Sequence, residues 1–520
     1  MIEYPPRGRT RDERPASATD RTLLGRRTLL LGATLVSSLA LFVRPVSDTD
    51  LWFHTAVGRW IVEHGRLPAH DLFTYTVPDH RWVNHEYLSE VLLWLLQARF
   101  GLVGVSVAFG ALAYAGLLLV VAACRPRRQP YVIVALATVL AALAGAPIWG
   151  ARPQMVTFVL ASLELLWLRR FLRGEPGRGG SRAILWLPAV MVLWSNLHGG
   201  WPIGLLFLGI AMAAEAAGFL RDRSPAHRDR LRLLAVAGGL SLLAAGLNPN
   251  GPAIYVYPLQ TLTSTAQQSL IREWASPDFH IAIVRPFELM VLLLLAGFAL
   301  SRPSAFDVMV ALAGLALALE SVRHIAIFVA TATPALVVAW SDAWRHHVVP
   351  RLPARPRAPL PRWAPAVTAI TLLVVAGTIG QRVAEQLADQ PAVTAQVVPV
   401  GAADWLAAHP RVGTRMFNEY SWGGYLANRF APDHRRSLFV VSEGVLMGDA
   451  QLYRYEQVSA LHPGWQRVLD QTGVDYVVFG RGSALDDVLA TEPGWRLAYR
   501  DGTAVIYVRA WILTGLAGGA

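Results

Sequence analysis

Lysine is absent from all 520 residues, cysteine occurs once, and charged side chains make up only 16% of the chain. Globular proteins carry about a quarter charged residues, so a water-soluble surface over the whole chain is excluded. The lone Cys124 excludes an internal disulfide, and any domain outside the cytoplasm must be held by packing alone. No internal repeat is visible, which disfavours transporters built from duplicated halves. The first apolar block lacks a small-residue cleavage site and reads as an uncleaved anchor.

What is present is apolar, 54% of the chain. It is clumped into about eleven blocks near the ~20 residues that span a bilayer. They are 28–44, 102–123, 131–148, 154–168, 183–197, 203–220, 233–247, 286–300, 305–320, 325–340 and 364–380. The class is a polytopic α-helical membrane protein. A net charge of +11 would suit nucleic acid, but arginine collects in alternate loops. Residues 7–27, 125–128, 169–182, 221–232, Arg302 and 345–362 hold 26 of the 47 arginines. The positive-inside rule expects this of cytoplasmic segments. The expected topology is a cytoplasmic N-terminus, eleven crossings and an external C-terminus.

Residues 1–27 read as an Arg/Pro-rich cytoplasmic tail, 28–380 as the transmembrane domain, and 341–363 within it as a cytoplasmic Pro/Arg linker. Outer loops span 45–101 and 248–285. In the first, Trp52, Ala56 and Trp60 recur at helical spacing, as do Tyr87, Val91, Leu92 and Leu95. Two amphipathic helices at the membrane surface are expected, joined by an extended "LPAHDLFTYT". From 381 to 510 the composition changes. Short β-rich runs ("TRMFN", "SLFVV", "VDYVVFG", "WRLAYR", "AVIYVR") alternate with helical stretches near 402–409, 463–471 and 484–490. A soluble α/β domain outside the membrane is expected there, with 511–520 as a terminal tail.

Unusual polar residues gather mostly on the outer side. Asp48 and Asp50, just past the first span, could bind a divalent metal, Mg²⁺ or Mn²⁺, or take a proton from an acceptor hydroxyl. They could equally cap the following helix. His54 lies one turn on, on the same face. "WVNHEYLSE" supplies Asn84, His85, Glu86 and Glu90, the two glutamates sharing a helix face. "WSNLHGGWP" puts Asn196 and His198 at membrane depth, where polar groups line cavities or meet other polar groups. "IREWASPDF" contributes Arg272, Glu273 and Asp278. In "ESVRHIAIF", Arg323 and His324 could neutralise a phosphate, or Arg323 could pair with Glu320. Arg152 of "WGARPQM" adds another cation before a span. "NEYSWGGYL", residues 418–426, reads as a glycine turn among aromatics.

These segments, in this order from about residue 40 to 509, resemble the uncharacterised bacterial branch of the GT-C membrane glycosyltransferases. That superfamily includes protein O-mannosyltransferases, aminoarabinose transferases and oligosaccharyltransferases. The resemblance implies a polytopic GT-C-like fold in a bacterial plasma membrane and a catalytic base or metal ligand at Asp50 or Asp48. It also implies donor-phosphate cations, for which Arg323, His324 and Arg152 are the candidates. Substrate contacts would fall to His54, His85, Glu86, Asn196, His198, Arg272 and Glu273. The tail departs from the branch at "FVVSEGVL": Ser442, Glu443 and Gly444 stand where an Asp-Gly-Arg stretch is common, so no binding role is assigned there. The implied activity is inverting transfer of a hexose or pentose from a polyprenyl phosphate to an extracytoplasmic lipid, glycan or protein. The alternatives are a flippase for a lipid-linked saccharide and a non-catalytic envelope scaffold.

Overall fold

The structure, a computed structural model, describes residues 25–125, 127–174, 183–352, 363–430 and 436–512. The expected N-terminal tail apart from its last three residues, parts of the 169–182 and 345–362 loops, and residues 513–520 lie outside the described residues.

Each expected apolar block falls on a helix. In chain order the helices are α1 (Arg26–Phe42), α2 (Asp50–His64), α3 (Tyr87–Ala123), α4 (Tyr131–Ala144), α5 (Gln154–Leu172), α6 (Leu187–Leu197) and α7 (Pro202–Asp222). They continue as α8 (Pro225–Ala245), α9 (Ala253–Thr263), α10 (Thr265–Leu270), α11 (Arg285–Leu300), α12 (Ala305–Glu320), α13 (Ile325–Ala343) and α14 (Ala364–Ala388). Five helical stretches are long and apolar enough to cross a membrane: 87–123, 202–222, 282–300, 322–351 and 364–388. Length and composition thus support five of the eleven expected crossings. The 131–144 and 183–197 stretches are apolar but shorter. Large apolar side chains such as Leu136, Leu243 and Leu373 stay exposed on the bundle perimeter, the surface a hydrocarbon phase would cover.

The first outer loop differs from two free surface helices. Its second helix runs directly into the following span as α3, bent at Gly101, whose φ of 64° suits glycine. Its first helix, α2, buries Leu51, Phe53, Ala56 and Val57, so it is a packed element. Leu51 joins the apolar core of the bundle, while Phe53, Ala56 and Val57 join the core of the C-terminal domain. One short helix is therefore held from both sides.

The C-terminal domain begins with α15 (Gln390–Val397) and α16 (Val400–Ala408), after α14 has run unbroken through residue 381. Next come β1 (Arg415–Asn418), α17 (Gly423–Phe430), β2 (Ser437–Leu438), α18 (Gly444–Met447) and α19 (Asp449–Ser459). The chain closes with α20 (Trp465–Gln471), β3 (Tyr476–Gly480), α21 (Ala484–Leu489), β4 (Trp495–Arg500) and β5 (Ala504–Arg509). The sheet order is β2-β1-β3-β5-β4. β1 pairs in parallel with β2 and β3, and the β3-β5-β4 half is antiparallel. β3 and β5 are apolar on both faces and buried, as central strands must be. The extended piece of the first loop adds to this sheet: the Leu438 amide donates to Phe73 O at 3.0 Å, and the Tyr75 amide to Leu438 O at 3.2 Å.

"SWGGYL" is the start of α17 rather than a glycine turn. A Cβ on Gly424 would lie 2.6 Å from the Phe53 amide nitrogen, and one on Gly423 2.6 Å from Val440 O. The glycines let α17 press against α2. Asn428 then donates to Thr55 Oγ1 at 2.8 Å, and Arg59 to Asn428 O at 3.0 Å.

Candidate active site

Between the bundle and the C-terminal domain lies a cavity of about 920 Å³. Its floor carries Asp50, His54, His85, Glu86, Arg152, His198, Arg272, Glu273, Arg323 and His324, and its roof Glu419, Tyr420, Ser421, Ser442, Glu443 and Tyr455. Apolar side chains line it as well, among them Ile203, Leu206, Leu262, Leu317 and Ile327.

The floor is organised by Glu86. His85 Nε2 lies 2.7 Å from it, His198 Nε2 3.6 Å and His54 Nε2 3.8 Å. Burial opposes ionisation of Glu86, but the neighbouring imidazoles, His85 foremost, hold it far below the usual carboxylate range. The other nitrogen of His54 faces Glu90 at 3.5 Å, and Asn84 Nδ2 donates to Glu90 at 2.7 Å. Burial alone would lower the His54 pKa; the Glu90 bond and the charges of Glu86, Glu90 and Asp50 raise it to about 9. His54 is thus a cation at neutral pH. His198 is the opposite case. Burial outweighs Glu86 and lowers it to about 3, and its Nδ1 accepts from the Gly200 amide at 3.0 Å. That places the proton of the neutral ring on Nε2, toward Glu86.

The two glycines of "SNLHGGWP" permit this packing. A Cβ on Gly199 would lie 2.6 Å from the His85 ring, and one on Gly200 2.5 Å from Thr157 Oγ1. Thr157 Oγ1 in turn lies 2.7 Å from His198 Nδ1 and accepts from Trp194 Nε1 at 2.7 Å.

Asp50 opens α2 with its carboxylate in the cavity. Burial, then the nearby Glu273 charge, push its pKa up to about 7, against the lowering effects of His54, the Ser442 hydroxyl and Arg323. Arg152 Nη2 is 3.6 Å from Asp50 Oδ2. The same guanidinium is paired with Glu273 through Nη1 and with Asp48 through Nε, and donates to Asp48 Oδ1 from Nη2 at 2.8 Å. Asp48 Oδ1 also accepts from the Asp50 amide at 3.0 Å, so it both starts the helix and binds Arg152. Arg323 stands apart. Its guanidinium lies 4.5 Å from the Trp274 ring centroid, and among the described residues no carboxylate approaches within ion-pair distance; Glu320 is exposed. The buried Nδ1 of His324 has no partner among the described residues. The Arg323 turn is tied to the Glu273 turn: Ser321 Oγ donates to Glu273 O at 2.7 Å and the Val322 amide to Ala275 O at 3.0 Å.

Of the site residues expected from sequence, ten share the cavity. Asp48 lines a smaller adjoining pocket of about 230 Å³, together with Arg44, Arg152, Glu273 and Arg323. Asn196 does not face the cavity. It accepts from Tyr87 Oη at 2.8 Å and donates to Val192 O and Leu247 O, which fixes the α6 terminus. The Asp48–Asp50 pair does not fit a divalent metal, because both Asp48 oxygens are already turned to Arg152. Among the described residues no three His, Cys, Asp or Glu side chains gather to hold one.

Sequence reasoning missed the roof. Glu443 reaches the cavity from the segment before α18, and no side-chain hydrogen bond or ion pair engages it among the described residues; burial raises its pKa. Tyr420 Oη donates to Ser442 O at 3.2 Å, and Tyr455 Oη accepts from the Tyr420 amide at 2.9 Å. The departure at "SEGVL" was the available signal.

No protein-family model and no curated protein matches the sequence. Among solved structures, the archaeal oligosaccharyltransferase AglB from Archaeoglobus fulgidus, in complex with an inhibitory peptide and a dolichol-phosphate, is similar. The match covers 93% of this chain and 74% of AglB, with a TM-score of 0.53 at 13% identity. ArnT from Cupriavidus metallidurans bound to undecaprenyl phosphate matches over 93% of this chain and 98% of its own, with a TM-score of 0.46 at 15% identity. The mycobacterial arabinofuranosyltransferase AftD matches over 93% and 41%, with a TM-score of 0.45 at 17% identity. At such identities the likeness is one of fold: the chain shares its fold with AglB.

Proposed function

We propose that the protein transfers a sugar from a polyprenyl-phosphate carrier to a hydroxyl acceptor, in the cavity beneath its C-terminal domain, on the outer face of a bacterial plasma membrane. One observation carries the reading. Asp50, with a pKa of about 7, and Arg323, with no acidic partner among the described residues, line the same cavity, whose lining also includes apolar side chains. The AglB and ArnT structures of the same fold hold dolichol-phosphate and undecaprenyl phosphate.

In this reading the polyprenyl chain lies along Ile203, Leu206, Leu262, Leu317 and Ile327. The acceptor oxygen attacks the anomeric carbon while Asp50 takes its proton. The bond from that carbon to the phosphate oxygen breaks, and the leaving polyprenyl phosphate keeps the electron pair. A base with pKa near the working pH suits that proton transfer. Arg323, with His324 beside it, stabilises the charge developing on the phosphate. His54, held positive by Glu86 and Glu90, keeps Asp50 ionisable. A single displacement inverts the anomeric centre. Arg272, exposed at the cavity mouth, and His85 and His198 on the floor are left to contact sugar or acceptor.

The test is incubation of purified protein with a panel of radiolabelled polyprenyl-phosphate sugars. Label leaving the lipid phase for water or an added acceptor supports the transferase. Label that moves between the leaflets of a vesicle while staying on the lipid refutes it and supports a flippase.

A further inference from the structure

Three carboxylates from two distant parts of the chain meet on one side chain. Asp48 and Asp50 come from the start of α2, and Glu273 from the turn after α10. Around the Arg152 guanidinium, Nε and Nη2 serve Asp48, Nη1 serves Glu273, and Nη2 lies 3.6 Å from Asp50. Carboxylate oxygens from separate segments are the ligand type that Mg²⁺ or Mn²⁺ takes, but here they are spread around the guanidinium, and among the described residues no three acidic side chains gather closely enough to hold an ion themselves. Their meeting point already holds a positive charge, one tethered to the segment before α5 and fixed by three acids. A divalent ion would need the guanidinium to leave, and its Nε, Nη1 and Nη2 to lose their carboxylate partners on Asp48 and Glu273.

We propose that Arg152 is a built-in cation that takes the place of a divalent metal at this acidic cluster, so that the wild-type protein has no divalent site among Asp48, Asp50 and Glu273. Arg152 is then a positioning residue. By engaging both oxygens of Asp48, one of Glu273 and Asp50 from one side only, it offsets the charge of the cluster and leaves the rest of the Asp50 carboxylate free in the cavity. The same pairing commits the Arg152 charge to carboxylates, whereas Arg323 has none within ion-pair distance among the described residues.

The inference is read by metal binding, so it stands or falls independently of whether sugar transfer is the activity. Mn²⁺ affinity is measured by the electron-paramagnetic-resonance signal of free Mn²⁺ for the full-length protein, wild type and variants. Arg152→Ala exposes three uncompensated carboxylates and is expected to bind Mn²⁺ at least ~10-fold more tightly than wild type, the scale of one lost charge pair. Adding Asp48→Asn should abolish the gain, and millimolar guanidinium should compete with Mn²⁺ in the single variant. Arg152→Lys keeps a cation in place and should behave as wild type, which separates the effect from general unfolding. Equal affinity of wild type and Arg152→Ala, whether tight or weak, overturns the proposal. So does wild-type binding that Asp48→Asn weakens.

Discussion

On the floor of the cavity Arg152 carries three carboxylates and His54 sits between two more; on the roof, Glu443 has no such partner among the described residues. The floor is a preorganised charge lattice whose members fix one another's ionisation, which is how a site stabilises charge without rearranging. The roof presents an unpaired acid and aromatic hydroxyls on a soluble domain, the composition of a surface that recognises a polar substrate. The difference teaches that chemistry and recognition are here divided between two domains. The seam between them is α2, which contributes to both cores.

That division can be broken in graded steps. Asp50→Asn should lower the turnover number for sugar transfer by ~10²–10⁴ without changing the melting temperature, since Asp48 keeps both the Arg152 bond and the helix start. Arg323→Ala should cost about 10²–10³ in turnover, measured with saturating donor, because the departing phosphate loses a cation that no carboxylate engages among the described residues. Glu443→Gln should act on recognition: KM for donor or acceptor rises about 10-fold while turnover changes little. A fall in turnover as large as that of Asp50→Asn would show the roof to be part of the chemistry. Gly424→Ala should have the smallest effect, destabilising by about 1–3 kcal/mol in thermal unfolding, because its methyl would strike the α2 backbone.

The floor was legible in the sequence and the roof was not, for a physical reason. An acid or imidazole beside an apolar span is costly and stands out; Asp50, His54, Glu86, His198 and Arg323 were visible on that account. Glu443 and Tyr420 sit in a soluble domain, where polar residues are ordinary, and nothing local tells a cavity-facing glutamate from a solvated one. Pairing was equally hidden. Arg152 read as a phosphate cation because its three acidic partners lie about 100 residues or more away in sequence. Asn196 read as a substrate contact because helix spacing does not reveal that its amide closes a bond to Leu247 O. Strand periodicity located all five strands of the sheet, yet the glycines of α17 read as a turn because the close approach of Phe53 comes from another part of the chain.

The account is tested most directly by the pH dependence of kcat/KM for transfer from a polyprenyl-phosphate sugar, in wild type and Asp50→Asn. A carboxyl that must be ionised, with a pKa of about 7, gives a rate that rises roughly tenfold per unit up to about pH 7 and then levels. The plateau holds until His54 loses its proton near 9. Asp50→Asn should lose the rising limb. A flat wild-type profile from about pH 5 to about pH 8, or the same rising limb in the variant, would contradict the assignment of Asp50 as the base.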